Sequence, residues 1–183
     1  KLLILLLVSC SLSAKAGVVK ISGSLKQFGL DRVSMNSDGI AAEVYHDRTI
    51  EIILDSNGRF DLKLKLKQPA YYKVGHNTLY LTPGDDLEII FNRNTTKTTF
   101  NGKGIEANNY LRNSAKLSGC EIAKIGRELN EFGLPKEKVS FEVYRYKVDS
   151  IVDASLDALA HLTAVTPEFR ELEQIRLEAC RLA

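Results

Sequence analysis

The sequence predicts an α+β protein: an N-terminal antiparallel β-sandwich or curled sheet over residues 17–101, then a helical segment of about three helices over 102–183. Three observations predict it. Apolar residues recur at every second position from residue 17 to near residue 100. Beyond residue 102 they recur at every third or fourth. Turn signatures punctuate the first part at intervals of about ten residues, the spacing of short strands in a sandwich.

Ahead of the first strand, KLLILLLVSCSLSAKA (residues 1–16) has a lysine, an unbroken apolar run from residue 2 to residue 8, and small residues. This is the plan of a bacterial secretory signal. The run is too short for a membrane-spanning helix, which takes roughly 20 apolar residues. Ala14-Lys15-Ala16 fits the A-x-A pattern of signal cleavage, and Leu7-Val8-Ser9-Cys10 resembles a lipoprotein lipobox, in which Cys10 carries the lipid. Both exits stay open. The reading is an exported chain, periplasmic or envelope-anchored, that meets a membrane only through a Cys10 lipid.

The strands follow in order. Val19, Ile21 and Gly23 alternate with Lys20, Ser22 and Ser24. Residues 31–48 have a mixed pattern around Gly39 and fit a loop or an irregular edge strand. Ile50 and Ile52 alternate with Glu51, and the run continues to Leu54. In FDLKLKL, Phe60, Leu62, Leu64 and Leu66 form one apolar face, and the lysines, with Lys67 beyond, form a wet one. Tyr71, Tyr72, Val74, Leu79, Leu81, Leu87, Ile89 and Phe91 continue the theme. Asp55-Ser-Asn-Gly58 and Gly75-His-Asn-Thr78 supply hairpin turns. The count is seven or eight strands.

Between residues 79 and 91 stands LYLTPGDDLEIIF, whose adjacent acids invite a metal or acid–base reading. Thr82-Pro83-Gly84-Asp85 is instead a type II turn signature, with Pro presetting φ and Gly taking the positive φ. Asp85 falls at the turn exit, where its carboxylate can accept backbone N–H groups. Asp86 begins the next strand. A calcium loop needs acids at alternating positions and a distal Glu, which this stretch lacks. The pair is therefore a corner.

Gly102-Lys-Gly104 is read as the loop from sheet to helix. Leu111, Ala115, Ser118, Ile122, Ile125 and Leu129 then trace a helix stripe that Gly119 and Gly126 weaken and Gly133-Leu-Pro135 breaks. A second stripe runs through Phe141, Tyr144, Val148, Ile151, Ala158 and Leu162, widened by Val152, Leu156 and Leu159. Thr166-Pro167 starts a third helix as N-cap and first helical residue. Its stripe is Phe169, Leu172, Ile175 or Arg176, Ala179 and Leu182. Cys120 and Cys180 fall off these stripes, outside the expected core. They read as two isolated thiols on helices, with a disulfide as the alternative. The chain starts without Met and ends in mid-helix, so it is expected to be a piece of a longer protein.

Removing residues 1–16 takes away Lys1 and Lys15 and no acid, which brings the formal charge from +2 to 0. A neutral chain with scattered basic residues has no electrostatic reason to bind nucleic acid. His46, His76 and His161 sit in unrelated settings, and no cysteine cluster accompanies them, so no metal or other cofactor is assigned. The sequence holds no G-x-S-x-G, H-E-x-x-H or P-loop, and no catalytic residue is assigned.

One ordered set of features goes beyond composition: DSNGRF (55–60), PAYY (69–72), LYLTPGD (79–85), FNGKG (100–104), NNYL (108–111), then F-E-x-Y (141–144) and TPEF (166–169). Over about residues 17–183 this resembles the N-terminal region of envelope TlpA-like thiol-disulfide oxidoreductases. The resemblance implies a sandwich and helices that precede a thioredoxin-like domain. It also implies an accessory role: positioning that domain, joining subunits, or binding a client protein. The family's catalytic W-C-x-x-C has no counterpart here, since the chain has neither Trp nor CxxC. The rival reading is a free-standing envelope binding module for peptide or glycan.

Overall fold

The computed structural model describes residues 16–38, 49–113 and 140–182. Eight strands precede three α-helices among these residues. The strands are β1 (Gly17–Ser24), β2 (Arg32–Asp38), β3 (Thr49–Ile53), β4 (Arg59–Leu66), β5 (Ala70–Val74), β6 (Asn77–Leu81), β7 (Asp86–Ile90) and β8 (Thr99–Lys103). The helices are α1 (Ile105–Asn113), α2 (Phe141–Ala160) and α3 (Pro167–Leu182).

The strands form two four-stranded sheets, ordered β4-β1-β7-β8 and β3-β2-β5-β6. Every pairing is antiparallel except β1 with β7, which is parallel. Period-two sequences put one apolar face of each sheet inward. Val19, Ile21, Phe60, Leu64, Leu87 and Ile89 of the first sheet thus meet Met35, Ile52, Tyr72, Val74, Leu79 and Leu81 of the second in one buried cluster. Lys63 and Lys65 lie on the exposed face of β4 as the alternation requires.

The second sheet is covered on its other face too. Tyr71 and Tyr80, direct cross-strand partners on β5 and β6, turn away from the sandwich. They join a second buried cluster with Tyr110, Leu111, Val148, Val152, Leu159, Phe169 and Leu177 from the helices. The molecule therefore has three layers, sheet, sheet and helices, with the middle layer buried on both sides. β6 records this in its composition: Leu79, Tyr80 and Leu81 are all buried, although they alternate in direction.

The turns form as their residues dictate. Gly84 has φ of 89°, the Asp85 N–H donates to the Thr82 carbonyl at 3.0 Å, and Asp86 opens β7. At the hairpin before β4, the Asp55 carboxylate accepts the N–H groups of Asn57 and Arg59, each at 2.8 Å. Thr166 caps α3 by accepting the Phe169 N–H at 3.1 Å, with Pro167 as the first helical residue. Arg170 closes the end of α2, donating to the carbonyls of Leu159 at 2.6 Å and Ala160 at 3.3 Å in its last turn, and to that of Leu162 at 2.7 Å just beyond it.

Several expectations are corrected. Residues 32–38 form an interior strand, not a loop or an edge: Met35 is buried and pairs on both sides, with Ile50 and with Val74. Gly102 and Lys103 belong to β8, so Gly104 alone remains as the joint to α1. Gly102 serves close packing rather than a loop, because a Cβ there would lie 2.1 Å from the Asp86 carbonyl oxygen.

The buried stripe of α3 is rotated from the expected one. It runs Phe169, Glu173, Leu177 and Cys180, while Leu172 is exposed and Ile175 is 59% exposed. Cys180, expected off the core, is buried within it. The cause is Glu173, a charged residue that a hydrophobic tally places outside and its partners hold inside. On α2 the buried residues are Val148, Val152, Ser155 and Leu159, and Phe141 is 68% exposed. Residues 1–15 with Cys10, Gly39 and His46, the stripe beyond Asn113 with Cys120, and the break near Pro135 lie outside the described residues.

Candidate functional site

The chemically richest place among the described residues is the joint between the second sheet and the helices. Glu173 sits at the centre with 0% exposure. Its Oε1 accepts from the Tyr71 hydroxyl at 2.8 Å and from the Arg176 Nε at 2.9 Å. Its Oε2 accepts from the Arg176 guanidinium at 2.7 Å. The carboxylate is thus held by a two-pronged arginine fork and one phenol, the arrangement that lets a charge survive away from water.

Aromatic rings surround the polar trio. The Tyr71 and Tyr80 centroids are 4.9 Å apart, Tyr80 and Phe169 are 4.8 Å apart, and Tyr110 meets Phe169 edge-on at 5.9 Å. The Tyr110 hydroxyl donates to the Ser155 carbonyl at 3.1 Å, which ties α1 to α2. Among the described residues the Tyr80 hydroxyl is buried without a partner of hydrogen-bonding geometry, with the Thr166 side chain beside it.

The electrostatics follow from burial. Desolvation, with the neighbouring Glu173 charge, pushes the Tyr71 phenol far above its ordinary range. Desolvation also raises Tyr80 and Tyr110, each to about 12. All three remain neutral hydrogen-bond donors at physiological pH. A carboxylate with no exposed surface, with both oxygens engaged by Tyr71 and Arg176, acts as a structural clamp.

No match to this chain is found among family models, curated proteins or solved structures.

The residues singled out from the sequence lie elsewhere. Asp85 and Asp86 do not converge on a site. Asp85 is buried, and its Oδ2 accepts the Thr82 N–H at 2.7 Å. Desolvation raises its carboxyl above the ordinary range, opposed by the Thr82 N–H and by Lys103. Asp86 is exposed and faces Lys20 across the parallel β1–β7 pair at 3.3 Å. His76 lies in the exposed β5–β6 turn, and His161 ends α2 with its ring 2.8 Å from the Asp157 carbonyl. Among the described residues no group of three or more His, Cys, Asp and Glu could hold a metal ion, and no helix is long and apolar enough to cross a membrane. Cys10, the residue at which the sequence raises lipid attachment as one alternative, is outside the described residues.

Sequence reasoning missed Tyr71, Glu173, Arg176 and Asn108. A signal for Glu173 and Arg176 was present. Phe169, Glu173 and Leu177 are spaced by four, which puts Glu173 on an apolar line, and Arg176 stands three residues on. Asn108 announces nothing by type or spacing. Its role exists only because α1 lies along β6.

Proposed function

We propose that this chain is the non-catalytic accessory region of an exported cell-envelope thiol-disulfide oxidoreductase, holding a thioredoxin-like domain in position or binding protein partners. One observation carries the reading: the helices are clamped to the sandwich through a buried Tyr71–Glu173–Arg176 trio inside an aromatic cluster. Such a joint resists both sliding and rotation, because the Tyr71–Glu173 bond is directional, the Arg176 fork within α3 fixes the carboxylate that receives it, and the rings interlock. A helical arm fixed in this way suits a part whose task is to set the place of something else. The ordered string of turns and caps that resembles the TlpA-like N-terminal region supports the same reading. Export rests on residues 1–16, and membrane attachment on lipidation of Cys10.

Two measurements test it. The coding sequence downstream of Ala183 should encode a W-C-x-x-C in frame; an immediate stop codon would instead favour the free-standing envelope module for peptide or glycan. The purified chain should leave insulin reduction by dithiothreitol at the uncatalysed rate. Clear acceleration would refute the accessory role outright.

A further inference from the structure

Among the described residues the second sheet ends at β6. An edge strand presents unpaired N–H and C=O groups that can recruit a strand from another chain. Here the C-terminal part of that edge, at Tyr80, is occupied by a side chain. Asn108, on α1 and with 0% exposure, accepts the Tyr80 N–H on its Oδ1 at 2.9 Å and donates from its Nδ2 to the Tyr80 carbonyl at 3.0 Å. One carboxamide thus makes both bonds that a neighbouring strand residue would make. Its second Nδ2 hydrogen goes to the Gly104 carbonyl at 2.9 Å, which leaves the amide group saturated and fixed at the start of α1. One residue past the end of β6, the Thr82 N–H is taken by the Asp85 carboxylate at 2.7 Å. The backbone donors at 80 and 82 are thus both answered by side chains from outside the sheet.

We infer that Asn108, with Asp85, is a surrogate strand that closes the β6 edge against strand addition from a second copy of this chain. The inference does not depend on the accessory role proposed above. β6 needs such protection more than the other edges. Its Leu79, Tyr80 and Leu81 are buried on both faces, so lifting α1 would bare an apolar run together with its free backbone groups.

The test compares Asn108→Ala with Tyr110→Phe in the whole chain, by light scattering after size exclusion across a concentration series. Tyr110→Phe removes one bond from the same helix, to Ser155, and leaves the Tyr80 backbone untouched. Asn108→Ala should at least double the mean mass relative to wild type as concentration rises, and Tyr110→Phe should match wild type. An Asn108→Ala protein that keeps the wild-type mass overturns the inference, as does equal association of both variants. Should Asn108→Ala not fold, native-state hydrogen exchange on the wild type decides. The Tyr80 amide should exchange together with the amides of α1, and a Tyr80 amide that outlasts α1 opening sinks the idea.

Discussion

The Tyr71 hydroxyl donates to the Glu173 carboxylate over 2.8 Å, joining the second sheet to the last helix across 102 positions of sequence. The Arg176 fork completes the site from one turn further along α3. Tyr71→Phe should cost about 1.5–3 kcal/mol, the range for a hydrogen bond to a charged group. Glu173→Ala should cost about 3 kcal/mol, at the low end for breaking a buried pair, because Arg176 is partly exposed and can turn to water. Denaturant melts of both single variants and the double variant should show a coupling of about 1 kcal/mol or more. Strict additivity would mean that the bond contributes nothing to the joint.

High pH should weaken the joint. The phenols of Tyr80 and Tyr110 are raised from 10.0 to about 12, chiefly by desolvation, and Tyr71 is raised further. A group whose folded value is raised binds its proton more tightly in the folded state. Its stabilisation is complete below pH 10 and is lost as pH climbs through about 12. Thermal melts from neutrality upward should show Tm falling above pH 10, with a shallower fall in Tyr110→Phe. A Tm that stays level to pH 12 would contradict the burial of these rings.

Two glycines should fail differently. At Gly84 a Cβ meets only the Lys103 Nζ at 3.5 Å, so Gly84→Ala suffers from φ of 89° rather than from crowding. The cost should be about 1 kcal/mol or more. At Gly102 φ is also positive, at 100°, and a Cβ would in addition lie 2.1 Å from a backbone oxygen of β7. Gly102→Ala should therefore be the more damaging of the two, and a reversed order of Tm losses would count against the β7–β8 register.

Asp85 separates its bond from its charge. Asp85→Asn keeps an acceptor for the Thr82 N–H and removes a carboxylate whose ionised form burial disfavours. Asp85→Ala loses the bond and leaves that N–H without its side-chain acceptor, at a cost of about 1–3 kcal/mol. At neutral pH the Asn variant should be at least as stable as wild type and the Ala variant less so. Because the folded value is raised, wild type should gain on Asn as pH falls through the carboxyl range. Equal losses in both variants would assign the effect to charge and not to the turn.

Much of the fold was legible in short stretches. Phe60, Leu64 and Leu66 faced inward as their spacing required, Gly84 took the positive φ that Pro83-Gly84 announced, and Thr166 capped the helix that Pro167 begins. Each of these depends on neighbours within a few residues. The candidate site did not announce itself in that way. Counting apolar residues on α3 chose Leu172 and Ile175 over Glu173 and Cys180, since a tally treats charge as a sign of the surface. The stretch from Arg32 hid an interior strand because only Val33 and Met35 mark its inward face, and its place between β3 and β5 is set by residues elsewhere in the chain.

Local rhythm was enough to establish seven or eight strands followed by helices and to place most of their turns, because side-chain direction repeats with period two or 3.6 whatever surrounds it. It was silent on which faces would meet. That one sheet carries helices on its back, that Glu173 is charged yet buried, and that Asn108 stands in for a strand all depend on residues far apart in the chain. Their polar atoms gain in one another's company what water would otherwise supply, and only the assembled layers bring them within 3 Å.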